Sequence, residues 1–176
     1  METYRKVVTL NEDFKVEDEI HFEMKDGEPV TVIVAAVEDN KALCIFKDCL
    51  KEEHCMNEEY TNEGGYLASD MRKYLNTEVL ERLPEEIASR LQQDENGDYL
   101  RLLKEEEIFG ENKYKVFDDE RMIRALEYEG SDCFNWYWLQ NPHFSADFGY
   151  VRCDGALDGD NGASNVFGVR PAFLIV

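Results

Sequence analysis

From Gly130 to Val176 the chain holds no Glu and no Lys. Both residues favour helix, so their absence excludes an ordinary surface helix from the last quarter. Positive charge is scarce throughout: 19 Lys and Arg against 39 Asp and Glu leave a formal charge of −20. Phosphate backbones and anionic lipid surfaces are repelled by such a coat, so neither nucleic acid nor a membrane is an expected partner. Long apolar runs are missing as well. The longest, "VTVIVAAV", has eight residues, far below the roughly 20 that span a bilayer. The opening "METYRKVVTLNEDF" lacks the apolar centre of a secretory signal. Five cysteines, Cys44, Cys49, Cys55, Cys133 and Cys153, are an odd number without a CxxC spacing; this usage fits a reducing compartment, and a cytoplasmic location is expected. No GxGxxG, Walker, GxSxG or HExxH pattern occurs, which removes the common cofactor and hydrolase readings.

What is present fits one domain over residues 1–176, since 176 residues at 43% hydrophobic can bury a substantial core without disulfides. The charge is uneven. Residues 130–176 carry five Asp and two Arg, net −3, so residues 1–129 carry −17 of the −20.

Period-two alternation in "DEIHFEMKDGEPVTVIVAAV" sets Ile20, Phe22 and Met24 against His21, Glu23 and Lys25, with a turn at Asp26-Gly27. A second strand over Val30–Val37, a turn at Asp39-Asn40 and a third strand over Ala42–Phe46 complete an antiparallel meander. The middle changes period. Met71, Tyr74 and Leu75 share a helical face behind a Ser69 cap, and Val79, Leu80 and Leu83 follow a second cap at Thr77. Pro84 predicts a break and a new short helix bearing Ile87 and Leu91. "ENGDYLRLL" reads as a turn and a short strand. "DDERMIRALEYEG" reads as an amphipathic helix capped near Asp118, with Met122, Ile123 and Leu126 inward and Gly130 as its stop. In the tail, Trp136 and Trp138 alternate with Asn135, Tyr137 and Leu139, a strand pattern, and Val151 and Val169–Val176 supply further short strands. Residues 140–168 contain five Gly, four Asp and three Asn, a composition of turns and long loops.

The stretches "GGYLASDMRKYLN", "DYLRLLKEEEIFG", "YWLQNP" and "FGVRPAFLIV" resemble a bacterial family of unknown function whose members carry a WWLRSP-like strand, a variable Gly/Asn-rich stretch and a G-V-R-P-A close. The likeness runs from about Glu19 to the end and is strongest at Tyr137-Trp138-Leu139 and Gly168–Ala172. Gln140-Asn141 replaces an Arg-Ser of the pattern, and Val32 stands where a Trp is common. The resemblance implies an α+β, C-type-lectin-like architecture related in shape to sulfatase-modifying and formylglycine-generating proteins: N-terminal antiparallel hairpins, central short helices, and C-terminal strands with long loops.

Candidate chemistry divides into three classes. The first is recognition without catalysis. His143, Phe144, Asp147, Phe148, Tyr150, Arg152, Asp158, Asp160, Asn161 and Asn165 lie in the Gly- and Asp-rich stretch, where side chains can stay exposed. Aromatic anchors among small adaptable polar residues are how binding loops are composed, so residues 141–165 are expected to meet a protein or a glycan. Trp136, Trp138 and Arg170 are assigned structural roles. In an apolar strand Arg170 needs carboxylate or carbonyl partners, an ion pair with Asp132 or a middle-helix acid being the favoured form, and Pro171 belongs at an edge or bulge. The second class is an enzyme on the same scaffold. Cys133 and Cys153 could approach each other with His143 between them in sequence, though so acidic a domain raises a thiol pKa, and His54-Cys55 neighbours point apart on an extended segment. Asp154, Asp158, Asp160 and Asn161 present oxygens of the kind Ca²⁺ takes, but the twelfth position from Asp158 is Val169 instead of Glu, so Asx turns are the better account and no metal ligand is assigned. The third class is a self-assembling, phage-type accessory protein. Oligomeric state is not encoded in these patterns.

Overall fold

A computed structural model of the chain describes residues 8–10, 13–125 and 136–176. The fold is mixed α/β, mostly strands with a few short helices. β1 (Glu19–Glu23) and β2 (Pro29–Glu38) form the predicted hairpin, with Ile20, Phe22 and Met24 buried and His21, Glu23 and Lys25 exposed. Asp39 and Asn40 both take positive φ, 50° and 62°, and link β2 to β3 (Lys41–Phe46) through the tight turn that matches strand twist. β4 (His54–Cys55) is a short rung further on.

Ser69 caps α1 (Asp70–Tyr74), its Oγ accepting the Arg72 N–H at 3.1 Å. A fresh cap at Thr77 is not formed. The helix runs on through a π turn, Leu75–Val79, into α2 (Leu80–Arg82), because the Thr77 hydroxyl donates back to the Lys73 carbonyl at 2.7 Å. Pro84 does break the helix and heads α3 (Glu85–Ala88). Leu91 is not on that helix: it lies in β5 (Leu91–Gln92), drawn there by pairing with Ile175. β6 (Leu100–Arg101) follows the expected turn, and α4 (Glu105–Phe109) was not marked by any period. Of the helix predicted from Asp118 to Gly130, the described residues up to Ala125 form a single α-helical turn, α5 (Glu120–Ile123), capped by Asp119 and ended by Arg124, which is extended at ψ 135°. Leu126, Gly130, Asp132, Cys133 and Asn135 lie outside the described residues.

The tail is built of β7 (Tyr137–Pro142), β8 (Asp147–Val151), β9 (Leu157–Gly162), β10 (Val166–Phe167) and β11 (Ala172–Ile175), and none of residues 136–176 is helical. The expected long loops are therefore largely strands: "LDGDNG" is β9, held by pairing to β8 in spite of its turn-like composition.

The main sheet runs β1-β2-β3-β11-β5, with β6 also paired to β11, and curls into an antiparallel half-barrel. Both faces are covered over Val32–Ala35, which is why that stretch of β2 is apolar at every position. Val32, Val34, Cys44, Phe46 and Phe173 meet Met71, Leu75, Val79, Leu83 and Ile87 on one side. Ile33, Ala35, Leu43, Ile45 and Ala172 meet Leu103, Ile108, Phe117 and Met122 on the other. β7, β8 and β9 form a separate three-stranded sheet, and β4 pairs with β10. Trp138, Phe148 and Tyr150 of the small sheet join the first cluster, while Tyr137, Leu139 and Val151 join the second.

Arg170 is 1% exposed. Instead of the favoured ion pair it finds carbonyls and a phenol. Nε donates to Phe46 O at 2.6 Å, and Nη1 donates to Ile123 O at 3.3 Å and Tyr137 Oη at 3.0 Å. Among the described residues no carboxylate reaches it, and Asp132 lies outside them. Pro171 precedes β11, and its carbonyl accepts the Phe46 N–H at 2.9 Å. Among the described residues no helix is long and apolar enough to cross a membrane.

Candidate functional site

The small sheet owes its shape to places where a side chain would not fit. A Cβ on Gly159 would overlap the His143 imidazole, one on Gly149 would overlap Glu105 Oε1, and one on Gly162 would overlap the Tyr60 ring. His143 Nε2 is hydrogen-bonded to Glu105 Oε1, so the imidazole lies across the sheet and ties it to α4. Asn141 strengthens the same joint, its Oδ1 accepting the Glu105 N–H at 2.9 Å.

The β7–β8 turn is held from several sides. The His143 N–H donates to Asp147 O at 2.8 Å, Ser145 adopts φ 62°, and Asn62 Nδ2 donates to both His143 O at 2.8 Å and Asp147 O at 3.0 Å. At its tip Phe144 is 91% exposed. Tyr60, 64% exposed, sits at the same end of the sheet, because Gly162 beneath its ring is the register partner of Asp147.

The ten residues expected on the loop surface divide by this geometry. Phe144, Arg152, Asp160 and Asn165 are exposed, and His143, Asp147, Asp158 and Asn161 are half-buried. Phe148 and Tyr150, expected to stay exposed, are instead buried, at 0% and 2%. They alternate into the first core cluster once β8 pairs on both edges. The Tyr150 hydroxyl is satisfied within β9: it donates to Asp160 Oδ1 at 2.6 Å and accepts from Asn161 Nδ2 at 2.7 Å. Burial, with Asp160 beside it, pushes that phenol above its usual range. Asn165 Nδ2 continues the chain to Asn161 Oδ1 at 3.2 Å. Arg152 stands between Asp154 and Asp158 at 3.6 and 3.8 Å. Of the structural tryptophans, Trp138 is 0% exposed, whereas Trp136 is 36% exposed, stacked on Tyr150 with centroids 5.4 Å apart.

Neither alternative chemistry gains a site from the described residues. Burial pushes the Cys44 thiol up; it pushes Cys49 to about 12, with nearby Arg170 pulling weakly the other way. Cys55 is raised by burial as well. Cys153 is half-buried, and Cys133 lies outside the described residues. His54 stacks on Tyr74, centroids 4.0 Å apart. No three His, Cys, Asp or Glu side chains among the described residues converge as metal ligands. Asp154 caps its own turn, its Oδ1 accepting the Ala156 N–H at 3.0 Å, and Asp158 accepts from Gly159 N at 2.8 Å.

Sequence reasoning missed Tyr60, Asn62 and Glu105. The Gly pair after "EEYTN" marks a turn, but nothing local ties that loop to a hairpin some 81 residues away. It also missed a cleft of about 530 Å³ lined by Ala36, Leu43 and Leu174 of the main sheet and by Glu107 of α4. Its wall holds a bidentate pair, Arg101 Nη1 to Glu107 Oε1 at 2.7 Å and Nη2 to Oε2 at 2.8 Å, with the Tyr114 hydroxyl donating to Glu107 at 2.8 Å. Burial raises the Glu107 carboxyl, but Arg101, the Lys104 N–H and Tyr114 outweigh it and hold the group below its ordinary value. The pair also bonds the Leu102 carbonyl and the Lys104 N–H, so it braces the β6–α4 corner.

The close approach of glycine and imidazole carries a prediction. Gly159→Ala is expected to destabilise the protein by about 1–3 kcal/mol through overpacking. In a His143→Ala background the same change should cost markedly less, a coupling that urea titrations of the four proteins in the cycle would measure.

The site is thus a small three-stranded sheet joined to a half-barrel, with one hydrogen-bonded turn that leaves an aromatic side chain exposed. The chain belongs to a family described as a domain of unknown function (DUF6273), whose model matches residues 39–176. The match begins just after β2, later than Glu19, and includes the whole of the small sheet. Neither a curated protein nor a solved structure matches the chain.

Proposed function

We propose that the protein is a noncatalytic recognition module, a single C-type-lectin-like domain that contacts a protein or a glycan through residues 141–165. Two features support the architecture. The first strand inside the family-matched stretch, β3, pairs antiparallel with the last, β11, closing the domain on itself. A smaller sheet, β7-β8-β9, grows from the intervening loops.

The observation that carries the recognition reading is Phe144. Most large apolar side chains of the small sheet are buried, yet this one stands 91% exposed on a turn fixed by hydrogen bonds to Asn62 and Asp147. Holding an aromatic in water on a rigid backbone gives the folded monomer nothing, but it lowers the ordering cost of inserting that ring into a partner.

Phe144→Ala is therefore expected to leave stability within about 0.5 kcal/mol of the parent. Affinity for its ligand should fall by about 2 kcal/mol or more, roughly thirtyfold. A glycan array and a displayed peptide library, each probed with parent and variant, make the test. Binding that Phe144→Ala leaves intact, or no binding on either platform, overturns the reading.

A further inference from the structure

Resting on that recognition reading, we infer that the partner is a protein segment rich in Lys and Arg, and that Tyr60 acts with Phe144 as the pair of apolar anchors that receives it. The two aromatics belong to different parts of the chain but to one end of the small sheet. Asn62 bonds the turn that carries Phe144, and Tyr60 covers Gly162 opposite Asp147. The Ala163 N–H donates to Ala146 O at 2.9 Å and the Asn57 N–H donates to Ala163 O at 3.0 Å, so loop 57–63, the β7–β8 turn and the end of β9 are stitched edge to edge. Their exposed rings lie on segments tied to one another by backbone and Asn62 hydrogen bonds, which limits the ordering cost of using them as anchors.

Charge chooses the occupant. The three stretches that build this end, residues 57–69, 136–151 and 157–168, contain Glu58, Glu59, Glu63, Asp147, Asp158 and Asp160 and not one Lys or Arg. Glu58, Glu59, Glu63 and Asp160 are exposed. The nearest cation on the small sheet, Arg152, is engaged by Asp154 and Asp158. An aromatic pair ringed by one sign of charge repels a second copy of a chain at −20 and an acidic segment alike. It attracts a basic segment, whose arrival the same field accelerates. Glycans, largely neutral or acidic, gain nothing from the acidic ring.

The test uses the full chain and a random dodecapeptide library displayed on phage, selected at about 0.05 M salt, where surface charge is felt over a long range. Enriched peptides are expected to carry several Lys or Arg beside apolar residues. Their affinity should fall about tenfold or more in Phe144→Ala and in Tyr60→Ala. It should fall likewise in a Glu58→Gln, Glu59→Gln, Glu63→Gln variant and at about 0.5 M salt. Glu85→Gln with Glu86→Gln, on α3, serves as the control and should change nothing. Peptides lacking basic residues that still depend on Phe144 would overturn the basic partner and leave the recognition reading standing. Peptides that bind Phe144→Ala and Tyr60→Ala as well as the parent would overturn both. An empty selection overturns the peptide partner and leaves only the glycan arm of the recognition reading.

Discussion

Arg170→Ala is expected to lower the unfolding free energy by about 3–5 kcal/mol, read as a fall in the urea midpoint at unchanged slope. The guanidinium, 1% exposed, joins three separate pieces of chain: the end of β3 through Phe46 O, the end of α5 through Ile123 O, and β7 through Tyr137 Oη. It also lies over the Phe117 and Tyr137 rings, 5.8 and 5.2 Å from their centroids. Truncation to Ala leaves a cavity there and strips the Phe46 carbonyl of a charged donor. The charge itself is a liability, because among the described residues Nη2 has no hydrogen-bond partner and no carboxylate offsets its desolvation. Arg170→Met, which keeps much of the volume and removes the charge, is thus expected to cost only about 1–2 kcal/mol. Equal losses for Ala and Met would mean that the donors matter more than the packing. A loss below about 1 kcal/mol for Ala would refute the bridging role altogether.

Trp138→Ala should cost as much, about 3–5 kcal/mol. The indole is 0% exposed, stacks on Phe167 with centroids 4.4 Å apart and meets Tyr150 edge-on at 6.1 Å. Its Nε1–H donates to His54 O at 3.0 Å. One side chain therefore fastens β7 to both strands of the β4–β10 pair. Trp138→Phe keeps an aromatic in the stack but leaves the His54 carbonyl without that donor, and about 1–3 kcal/mol is expected. Because β7 leads directly into the Phe144 turn, both variants should also raise amide exchange over residues 137–151 ahead of the main sheet. Uniform exchange across both sheets would show that the small sheet does not depend on this fastening.

Much of the fold was legible where a local rule acted alone. The alternation around Ile20, Phe22 and Met24, the Asp39-Asn40 turn and the Ser69 cap each depend on neighbours within a few residues. Legibility failed where a distant strand competed. Leu91 carries a helical period from Ile87, yet Ile175 supplies a ladder partner and takes it into β5. Thr77 has the chemistry of a cap, yet its hydroxyl is satisfied inside a helix that packing against the sheet prolongs. In the candidate site the same conflict decided Phe148 and Tyr150, whose surroundings in sequence are polar and whose surroundings in space are Trp138 and Phe167.

By composition and period alone, the sequence determined that the tail is extended, that hairpins open the described fold and that the chain carries a large excess of acid. Those properties follow from backbone preference and charge, which each residue carries wherever it sits. Only the tertiary structure decided that His143 is a brace, that Phe144 faces water while Phe148 does not, and that Tyr60 stands beside the turn. Burial depends on which strand arrives to cover a face, and the groups that fix the site, such as Asn62, whose Nδ2 donates to the His143 carbonyl across 81 residues, are too far along the chain for any local pattern to name.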